Sequence, residues 1–332
     1  MDKVKHLLPQ TQYFKANLHT HSSVSDGGMT PEEVKQAYKA KGYQILSLTD
    51  HRIIVDHSAL NDADFLMLTG MEVDITPKTL TEIRGPYHLN LIAKRPDNLW
   101  SPIAAPTDSP YAAQMQWENM DLHCTPESIN KMIAKANEKG FLVTYNHPVW
   151  SGHGYPAYAS LEGLWAIELR NSACCEEGFQ ENNFQVHKDM LCLGKRLFPI
   201  GADDMHAYWP DSLGQSWIMV GAEALDYDAV IKALEKGDFY MSCGPEINTL
   251  TVENGILKIT CSGVKRICIE SERRFANLVK AKDGQLLYEA EFDLTEWRKN
   301  TASDPNACVR LTIFAEDGTY AATRGYYTSE LV

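Results

Sequence analysis

Residues 14–28 read FKANLHTHSSVSDGG, and this stretch decides how the rest of the chain is interpreted. Its first five residues form a candidate strand that ends where His19 and His21 begin. Residues i and i+2 of a strand project to one side, so the two imidazoles can reach a single metal ion. Alone, the pair is a weak signal, because such pairs also arise by chance. Its meaning depends on the side chains that come directly after the other strands.

Short apolar runs alternate with amphipathic helical stretches from residue 14 to about residue 240. Such runs are expected of parallel strands that are buried on both faces. The predicted strands are residues 14–18, 44–48, 65–69, 87–93, 141–145, 164–169, 197–200 and 216–220. Cap and stop signals predict helices over residues 30–42, 125–140 and 226–237. This alternation predicts an α/β fold, either a β/α barrel or a doubly wound sheet.

Two parts of the chain depart from this alternation. Residues 95–124 are rich in proline and are interpreted as a long insertion, a candidate lid over the site. After residue 243, β-like runs flank the hairpin signal Glu253-Asn254-Gly255. We therefore predict a first domain over residues 1–243 and a smaller all-β sandwich over residues 244–332. The second domain contains no histidine, so we expect it to take no part in the chemistry.

The composition restricts the classes of protein that this chain can belong to. It has 332 residues, with 31 Lys+Arg against 44 Asp+Glu, a formal charge of −13. This acidic balance argues against a protein that binds the phosphate backbone of nucleic acids. No apolar run is long enough for a transmembrane helix, and the first residues lack an apolar signal segment. The eight cysteines form no C-x-x-C pair and are interpreted as reduced thiols of a cytoplasmic protein.

Ligand-type side chains come after the other predicted strands as well. The C-terminal ends of parallel strands meet at one mouth of a barrel, where active sites of this architecture assemble. A shared pocket of carboxylates and imidazoles is electrostatically costly unless cations are bound there. Divalent metal ions are therefore implied. The side chains concerned are Asp26, His51, Glu72, His88, His147, Asp204 and His206, in addition to the first histidine pair.

These motifs, in this order, resemble the PHP family, which is named after polymerase and histidinol phosphatase. They are NLHTH at residues 17–21, SDG at 25–27, TDH at 49–51, GME at 70–72, His88, NHP at 146–148 and DMH at 204–206. The resemblance covers about residues 14–240. It implies a distorted (β/α)7 TIM-like barrel with two or three Zn, Mn or Fe ions, and phosphoester hydrolysis. The C-terminal part is similar to a two-domain bacterial branch with CehA/McbA-type metallohydrolases, which includes enzymes that hydrolyse carbamates and esters.

The resemblance also implies roles for individual residues. The implied metal ligands are His19, His21, Asp26, His51, Glu72, His88, His147, Asp204 and His206. Glu72 would bridge two ions, and Asp203 remains an alternative to Asp204. The candidate catalytic residues are Glu72, Asp204, His206 and Arg170. The candidates for substrate binding are Arg170, which comes after a strand, Arg52, which is next to a ligand, and His153, which comes after the His147 loop.

The principal functional hypothesis is a metal-dependent phosphoesterase that cleaves a small phosphate ester. A hydroxide that bridges the ions would attack phosphorus without a covalent intermediate. One alternative is a carboxylic or carbamic ester hydrolase that uses the same metal site. Another is a non-catalytic metal-bound module whose β domain mediates interactions. The expected partner is a small phosphorylated substrate, with neither nucleic acid nor membrane involved.

Overall fold

One large mixed sheet organises the fold of this chain, for which the computed structural model describes residues 4–107, 109–208 and 212–331. The strands are β1 (Lys5–His6), β2 (Gln12–Asn17), β3 (Ile45–Leu48), β4 (Leu66–Ile75), β5 (Tyr87–Ala93), β6 (Trp100–Ser101), β7 (Gln116–Trp117), β8 (Phe141–Tyr145), β9 (Ala166–Asn171), β10 (Phe198–Ala202), β11 (Trp217–Ala222), β12 (Phe239–Ser242), β13 (Ile247–Glu253), β14 (Ile256–Val264), β15 (Arg266–Ser271), β16 (Ala276–Lys280), β17 (Leu287–Asp293), β18 (Cys308–Phe314), β19 (Tyr320–Ala322) and β20 (Tyr326–Tyr327). The helices are α1 (Pro31–Ala40), α2 (Pro126–Glu138), α3 (Tyr155–Tyr158), α4 (Ser172–Glu176), α5 (Phe184–Cys192), α6 (Tyr227–Lys236) and α7 (Thr295–Thr301). The fold is therefore a mixed α/β fold with a large sheet and few helices.

The large sheet has the order β10-β9-β8-β5-β4-β3-β2-β11-β12-β19-β18-β15-β16, and β20 pairs with β18. Two smaller sheets have the orders β1-β13-β14-β17 and β6-β7. β10 packs against β11 and β12, so the sheet curls back on itself. Within the described ranges, however, no ladder of hydrogen bonds joins β10 to β11. β10 and β11 therefore meet by packing alone.

The expectation of parallel strands is wrong at β5 and β11. β5 runs antiparallel to both β4 and β8, and β11 runs antiparallel to β2 and β12. A strand buried on both faces has the same apolar composition in either direction, so the sequence pattern does not reveal its orientation. The reversal of β5 has a consequence for the site. His88 lies at the beginning of β5, and it pairs with Asp74 near the end of β4.

The helix predictions are confirmed at their ends. Thr30 caps α1 in a capping box with Glu33, and Thr125 caps α2. Asp226 caps α6, which ends at Gly237 in the left-handed region with φ 72°. Only glycine adopts this conformation without strain, so it stops the helix cleanly. The described helices include none that is both long and apolar enough to cross a membrane.

The C-terminal part contains a hairpin and a second apolar core. Asn254 and Gly255 form the turn between β13 and β14 with φ 51° and 81°, as the sequence predicts. Apolar side chains of β13, β14, β15 and β18 pack into one core. The part is not purely β, because α7 lies between β17 and β18. The large sheet also continues across residue 243, since β12 pairs with β19. The division at this residue stays a prediction, and its ends at residues 1 and 332 lie outside the described residues.

The predicted insertion packs partly against the far end of β8. Trp100 is buried, and its ring lies 5.8 Å from that of Phe141, the first residue of β8. His147 lies beyond the other end of this strand, whose five residues span about 16 Å at the usual rise per residue. The role of residues 95–124 as a lid stays a prediction, and residue 108 is not among the described residues.

Candidate metal centre

Two backbone segments place the first and last predicted ligands side by side. His21 donates its backbone N–H to the carbonyl of Met205 at 3.0 Å, and the backbone N–H of Asp204 donates to the carbonyl of His19 at 2.9 Å. Thr20 forms an isolated parallel bridge with Met205. The loop after β2 and the loop after β10 are thereby joined, although the two strands are far apart in the chain.

The structure brings all nine predicted ligands together into what we call the ligand cluster. Their donor atoms form four overlapping groups, and within each group the donor atoms lie within 4.8 Å of one another. Sharing of members between groups is the arrangement expected of a centre that holds more than one ion. The groups are His21, Asp26, His51 and His206; His19, His21 and Glu72; His19, His147 and Asp204; and His51, Glu72 and His88.

Glu72 lies at the centre of the ligand cluster and is 1% exposed. Five histidine rings place a nitrogen within 3.5 Å of its carboxylate, and Asn146 donates to Oε1 at 2.8 Å. The partners of Oε1 are His19, His88 and His147, and the partners of Oε2 are His21 and His51. A carboxylate whose two oxygens face different sets of donors has the geometry required to bridge two cations.

Buried polar atoms in the ligand cluster indicate that the donor set suits metal ions. Nδ1 of His21 and Nδ1 of His147 are buried without a hydrogen-bond partner among the described residues. Nε2 of His21 lies 3.2 Å from Nε2 of His19, so two ring nitrogens converge on one point. Imidazole and carboxylate donors together suit Zn, Mn or Fe. The residues present therefore fit the ions that the resemblance implies.

The carboxylates of the ligand cluster are held ionised by the surrounding histidines. Burial alone raises the pKa of Glu72, but the charges of His19, His88 and His51 hold it well below its usual range. Burial has the opposite effect on a histidine and lowers the pKa of His51. The carboxylates of Glu72, Asp74 and Asp26 outweigh burial and raise this pKa to about 9. Metal ions would compete with protons for these nitrogens, because a histidine ligand must be neutral.

The structure distinguishes Asp204 from Asp203. Asp204 Oδ1 lies 3.0 Å from Nε2 of His21 and 3.1 Å from Nε2 of His19. Asp203 points away from the ligand cluster and accepts backbone N–H groups of Gly214, Gln215 and Ser216 at 2.7–3.1 Å. Burial raises the pKa of Asp203 to about 6. Asp203 therefore anchors the loop before β11, and Asp204 is the member of the pair that faces the cluster.

Sequence analysis missed Glu168, which lies within β9 and is fully buried. Its Oε1 lies 2.6 Å from Nδ1 of His19, and its Oε2 accepts the backbone N–H of His147 at 2.9 Å. Asn171 joins Glu168 to Asp204 by donating to both carboxylates at 3.0 Å. One signal could have revealed it, because a glutamate in the apolar run of residues 164–169 needs a buried partner.

Asp50 was noted only as the neighbour of His51, and the structure shows what it does. Its carboxylate accepts hydrogen bonds from the backbone N–H and hydroxyl groups of Ser22 and Ser25 at 2.8–3.2 Å. These bonds shape the loop that carries Asp26 past the first histidine pair. Asp26 is more exposed than the other carboxylates of the cluster, and its Oδ2 lies 3.5 Å from Nε2 of His206.

A family model for the PHP domain matches residues 17–120. These residues resemble a PHP domain. Six members of the ligand cluster lie within the matched stretch, and the fold adds the other three, which are His147, Asp204 and His206. No curated protein matches the chain in sequence.

Several solved structures are similar to this chain. A two-domain protein from Bacteroides vulgatus, described as containing a PHP-like metal-dependent phosphoesterase, is 14% identical over 98% of this chain and 99% of its own, with a TM-score of 0.45. An amidohydrolase from Chromobacterium violaceum is 17% identical over 60% of this chain and 89% of its own, with a TM-score of 0.41. A lesion-specific endonuclease from Pyrococcus furiosus is 16% identical over 68% of this chain and 56% of its own, with a TM-score of 0.43.

The exclusion of nucleic acid as a partner was wrong. A lesion-specific endonuclease is among the solved structures that are similar to this chain. The physical reason is that a net charge of −13 is a sum over the whole chain. A phosphodiester bound at a metal centre meets the charge of the ions there, and it does not require an excess of lysine and arginine elsewhere.

The two arginines predicted to bind substrate already have protein partners. Arg52 forms a bidentate ion pair with Asp74, with N···O distances of 2.6 and 2.8 Å. Oδ1 of Asp74 also lies 3.5 Å from Nδ1 of His51. Arg170 donates to Asn182 at 3.4 Å, and Asn182 also accepts from the hydroxyl of Tyr320. The structure thus places Arg170 among groups of β19 rather than in contact with the ligand cluster. A substrate role for either arginine stays a prediction.

His153 and Trp150 lie beside the ligand cluster. Nδ1 of His153 accepts from the hydroxyl of Tyr145 at 2.6 Å, and burial lowers the pKa of His153 to about 4. Trp150 was not predicted as a substrate residue, yet its ring centre lies 4.9 Å from that of His147 and 5.3 Å from that of His88. Trp150 is partly exposed, so it forms a wall beside the cluster, whereas a substrate role for His153 stays a prediction.

Proposed function

We propose that this protein is a metal-dependent phosphoesterase that hydrolyses a small phosphate ester without a covalent enzyme intermediate. The observation that carries the proposal is the position of Glu72, whose two oxygens face separate sets of histidines inside one buried cluster. A single structural ion needs about four ligands, whereas nine donors converge here. So many shared donors favour a catalytic centre with several ions over a structural site with one.

Two or three divalent ions, when bound, supply an activated water and neutralise charge that develops on a phosphoryl group. The chain's own residues hold and orient these ions. Glu72 would be shared between two of the ions, and Asp204 and His206 would hold ions from the loop after β10. Glu168 keeps His19 oriented, because its carboxylate accepts the ring N–H at Nδ1 and leaves Nε2 facing inward.

The residues around the ligand cluster bind the organic part of the substrate and restrict water. Trp150 presents an aromatic surface next to His88 and His147, and its indole N–H is held by Glu177 at 3.0 Å. The ring of Trp150 is partly exposed, so the leaving group of a substrate can reach it. Its indole surface would hold that group by van der Waals contact while the phosphoryl oxygens face the centre.

We also propose that strands β2–β11 form the distorted (β/α)7 barrel that the resemblance implies, and that the chain divides near residue 243. The packing of β10 beside β11 and the separate apolar core of the C-terminal part support this arrangement. Limited proteolysis provides the test. Cleavage between β12 and β13 that yields two folded fragments agrees with the division, and fragments that unfold together contradict it.

The function is tested by joining metal analysis to a substrate panel. The purified protein, loaded with Zn, Mn or Fe, is assayed against phosphomonoesters, phosphodiesters including oligonucleotides, carboxylic esters and carbamates. Release of phosphate supports the proposal, while release of a carboxylate or an alcohol from a carbonyl ester alone overturns it. Turnover of none of these substrates at full metal occupancy would favour a non-catalytic module.

The site assignment is tested with Glu72→Ala and His19→Ala, and Glu162→Ala is the matched control. Glu162 is an exposed residue whose partner is Lys195 at the surface. We expect the two cluster variants to lose metal and activity together, while the control retains both. Full activity in either cluster variant would contradict the assignment.

A further inference from the structure

A cavity lined in part by two arginines lies at the opposite end of β10 from the ligand cluster. Arg196 precedes β10 and lines this cavity, whereas Asp204 lies beyond the other end of the strand, which spans about 16 Å. The cavity has a volume of about 690 Å³, which is within the range of small-molecule sites. Its other walls come from the C-terminal part, namely the β13–β14 turn, α7 and the loops around residues 302–305 and 328–329.

Arg298 is the unusual residue of this cavity. It is half-buried, its Nε is fully buried without a hydrogen-bond partner, and its guanidinium has no carboxylate partner among the described residues. The turn residue Gly255 packs against it, since a Cβ built there would lie 3.4 Å from Nη1. A buried N–H donor without an acceptor is costly, so such donors are normally paired. The structure therefore leaves a cation with unused donors facing the cavity.

The remaining charges of the cavity do not neutralise Arg298. The carboxylate of Asp304 is taken by Arg273 at 2.8 Å and by the backbone N–H of Asn306 at 2.9 Å. Arg196 donates from Nη2 to the carbonyl of Pro305 at 2.7 Å, and its guanidinium lies over the ring of Tyr327 at 4.2 Å. Two guanidinium groups thus line one cavity in a protein whose net charge is −13.

We propose that this cavity binds the phosphate group of a small molecule between Arg196 and Arg298. A guanidinium group can donate two parallel hydrogen bonds to two oxygens of one phosphate. Hydroxyl groups can donate to the remaining oxygens. Ser303 and Ser329 supply such hydroxyl groups along the cavity wall. The bound phosphate would connect the segment before β10 to α7, so it would join the C-terminal part to the part that carries the ligand cluster.

Inorganic phosphate is the probe, because it carries the proposed chemistry and nothing else. Phosphate is titrated calorimetrically into the metal-loaded wild-type protein and into Arg298→Gln, Arg298→Lys and Arg196→Gln. We expect phosphate binding outside the ligand cluster to weaken at least 10-fold in both glutamine variants. Arg298→Lys keeps the charge and should weaken it less. Lys280→Gln, on the exposed edge strand β16, is the control and should bind as the wild type does.

A parallel titration of Glu72→Ala separates this cavity from the ligand cluster. Phosphate binding that survives in Glu72→Ala and is lost on adding Arg298→Gln supports the proposal. Binding that disappears in Glu72→Ala, or that is equal in the wild type and Arg298→Gln, overturns it. Thermal melting shows whether each variant is folded. Arg298→Gln should melt no lower than the wild type, because it removes an unpaired half-buried charge.

Discussion

The carboxylate of Glu168 lies 2.6 Å from Nδ1 of His19, and neither side chain is exposed to solvent. Because an ionised carboxylate can only accept, the imidazole carries its proton at Nδ1 and presents the lone pair of Nε2 to the ligand cluster. The other oxygen of Glu168 accepts the backbone N–H of His147, so one carboxylate orients two members of the cluster.

Glu168→Ala should therefore weaken metal binding about 10- to 100-fold, the effect usual for partners of metal-ligating histidines. Glu168→Gln keeps an acceptor but loses the charge, so it should fall between the wild type and the alanine variant. Metal affinity is measured by competition with a chromophoric chelator, and Glu162→Ala serves as the control. An unchanged affinity in Glu168→Ala would mean that the contact has no role in holding metal.

Asp203 and Asp204 are adjacent but should give opposite phenotypes. Asp204→Asn should lower metal content and activity, because it removes a charge that faces His19 and His21. Asp203→Asn should leave metal binding nearly intact but lower the free energy of unfolding by about 1–3 kcal/mol, since the asparagine NH2 group would replace one of the two oxygens that accept the backbone N–H groups. Denaturant unfolding and metal analysis of both variants provide the test. Metal loss in Asp203→Asn alone would reverse the assignment.

His187 should make the stability of the protein depend on pH. It is buried in α5, where Nδ1 accepts from Arg310 at 2.8 Å, and burial together with the charge of Arg310 lowers its pKa to about 3. Below pH 6.5 His187 is therefore protonated in the unfolded chain, whereas it stays neutral in the folded protein until the pH approaches 3. The contribution of His187 to the free energy of unfolding is therefore fully present above pH 6.5. It is lost as the pH falls, by about 2 kcal/mol between pH 7.5 and pH 5.

His187→Gln removes the titrating group but keeps a donor and an acceptor, so it should lack this part of the pH dependence. Denaturant unfolding at the two pH values measures the difference from the wild type. His6→Gln, a change at an exposed residue, is the control and should behave as the wild type does. Equal pH dependence in wild type and His187→Gln would contradict the prediction.

Trp150 should determine which leaving groups are accepted. Trp150→Ala should raise KM about 3- to 10-fold for an aryl phosphate, because an aromatic contact contributes about 0.5–1.5 kcal/mol beyond its buried area. KM for a small alkyl phosphate and the metal content should stay unchanged, and Trp150→Phe should restore most of the loss. Trp117→Ala, at an exposed tryptophan of β7, is the control. An equal rise for both classes of substrate would assign Trp150 a purely structural role.

Much of the fold could be predicted because local signals agree with the final structure. The cap at Thr30 and the left-handed Gly237 depend only on nearby backbone geometry, so the sequence is enough to locate them. The direction of β5 could not be predicted, since it depends on which strands lie on either side. This direction matters for the site, because it brings His88 to the edge where β4 carries Glu72.

The sequence by itself determined which side chains are available for a metal centre, because histidines and carboxylates in that order and spacing are visible in one dimension. It could not determine how Asp203 and Asp204 divide their roles, or that Glu168 supports His19. Both depend on contacts between strands that are distant in the chain. Nor could it show that Arg52 is paired with Asp74, or that Arg298 has no counter-charge among the described residues. The pairing of a charge depends on which groups lie within a few ångströms of it, and only the tertiary structure decided that.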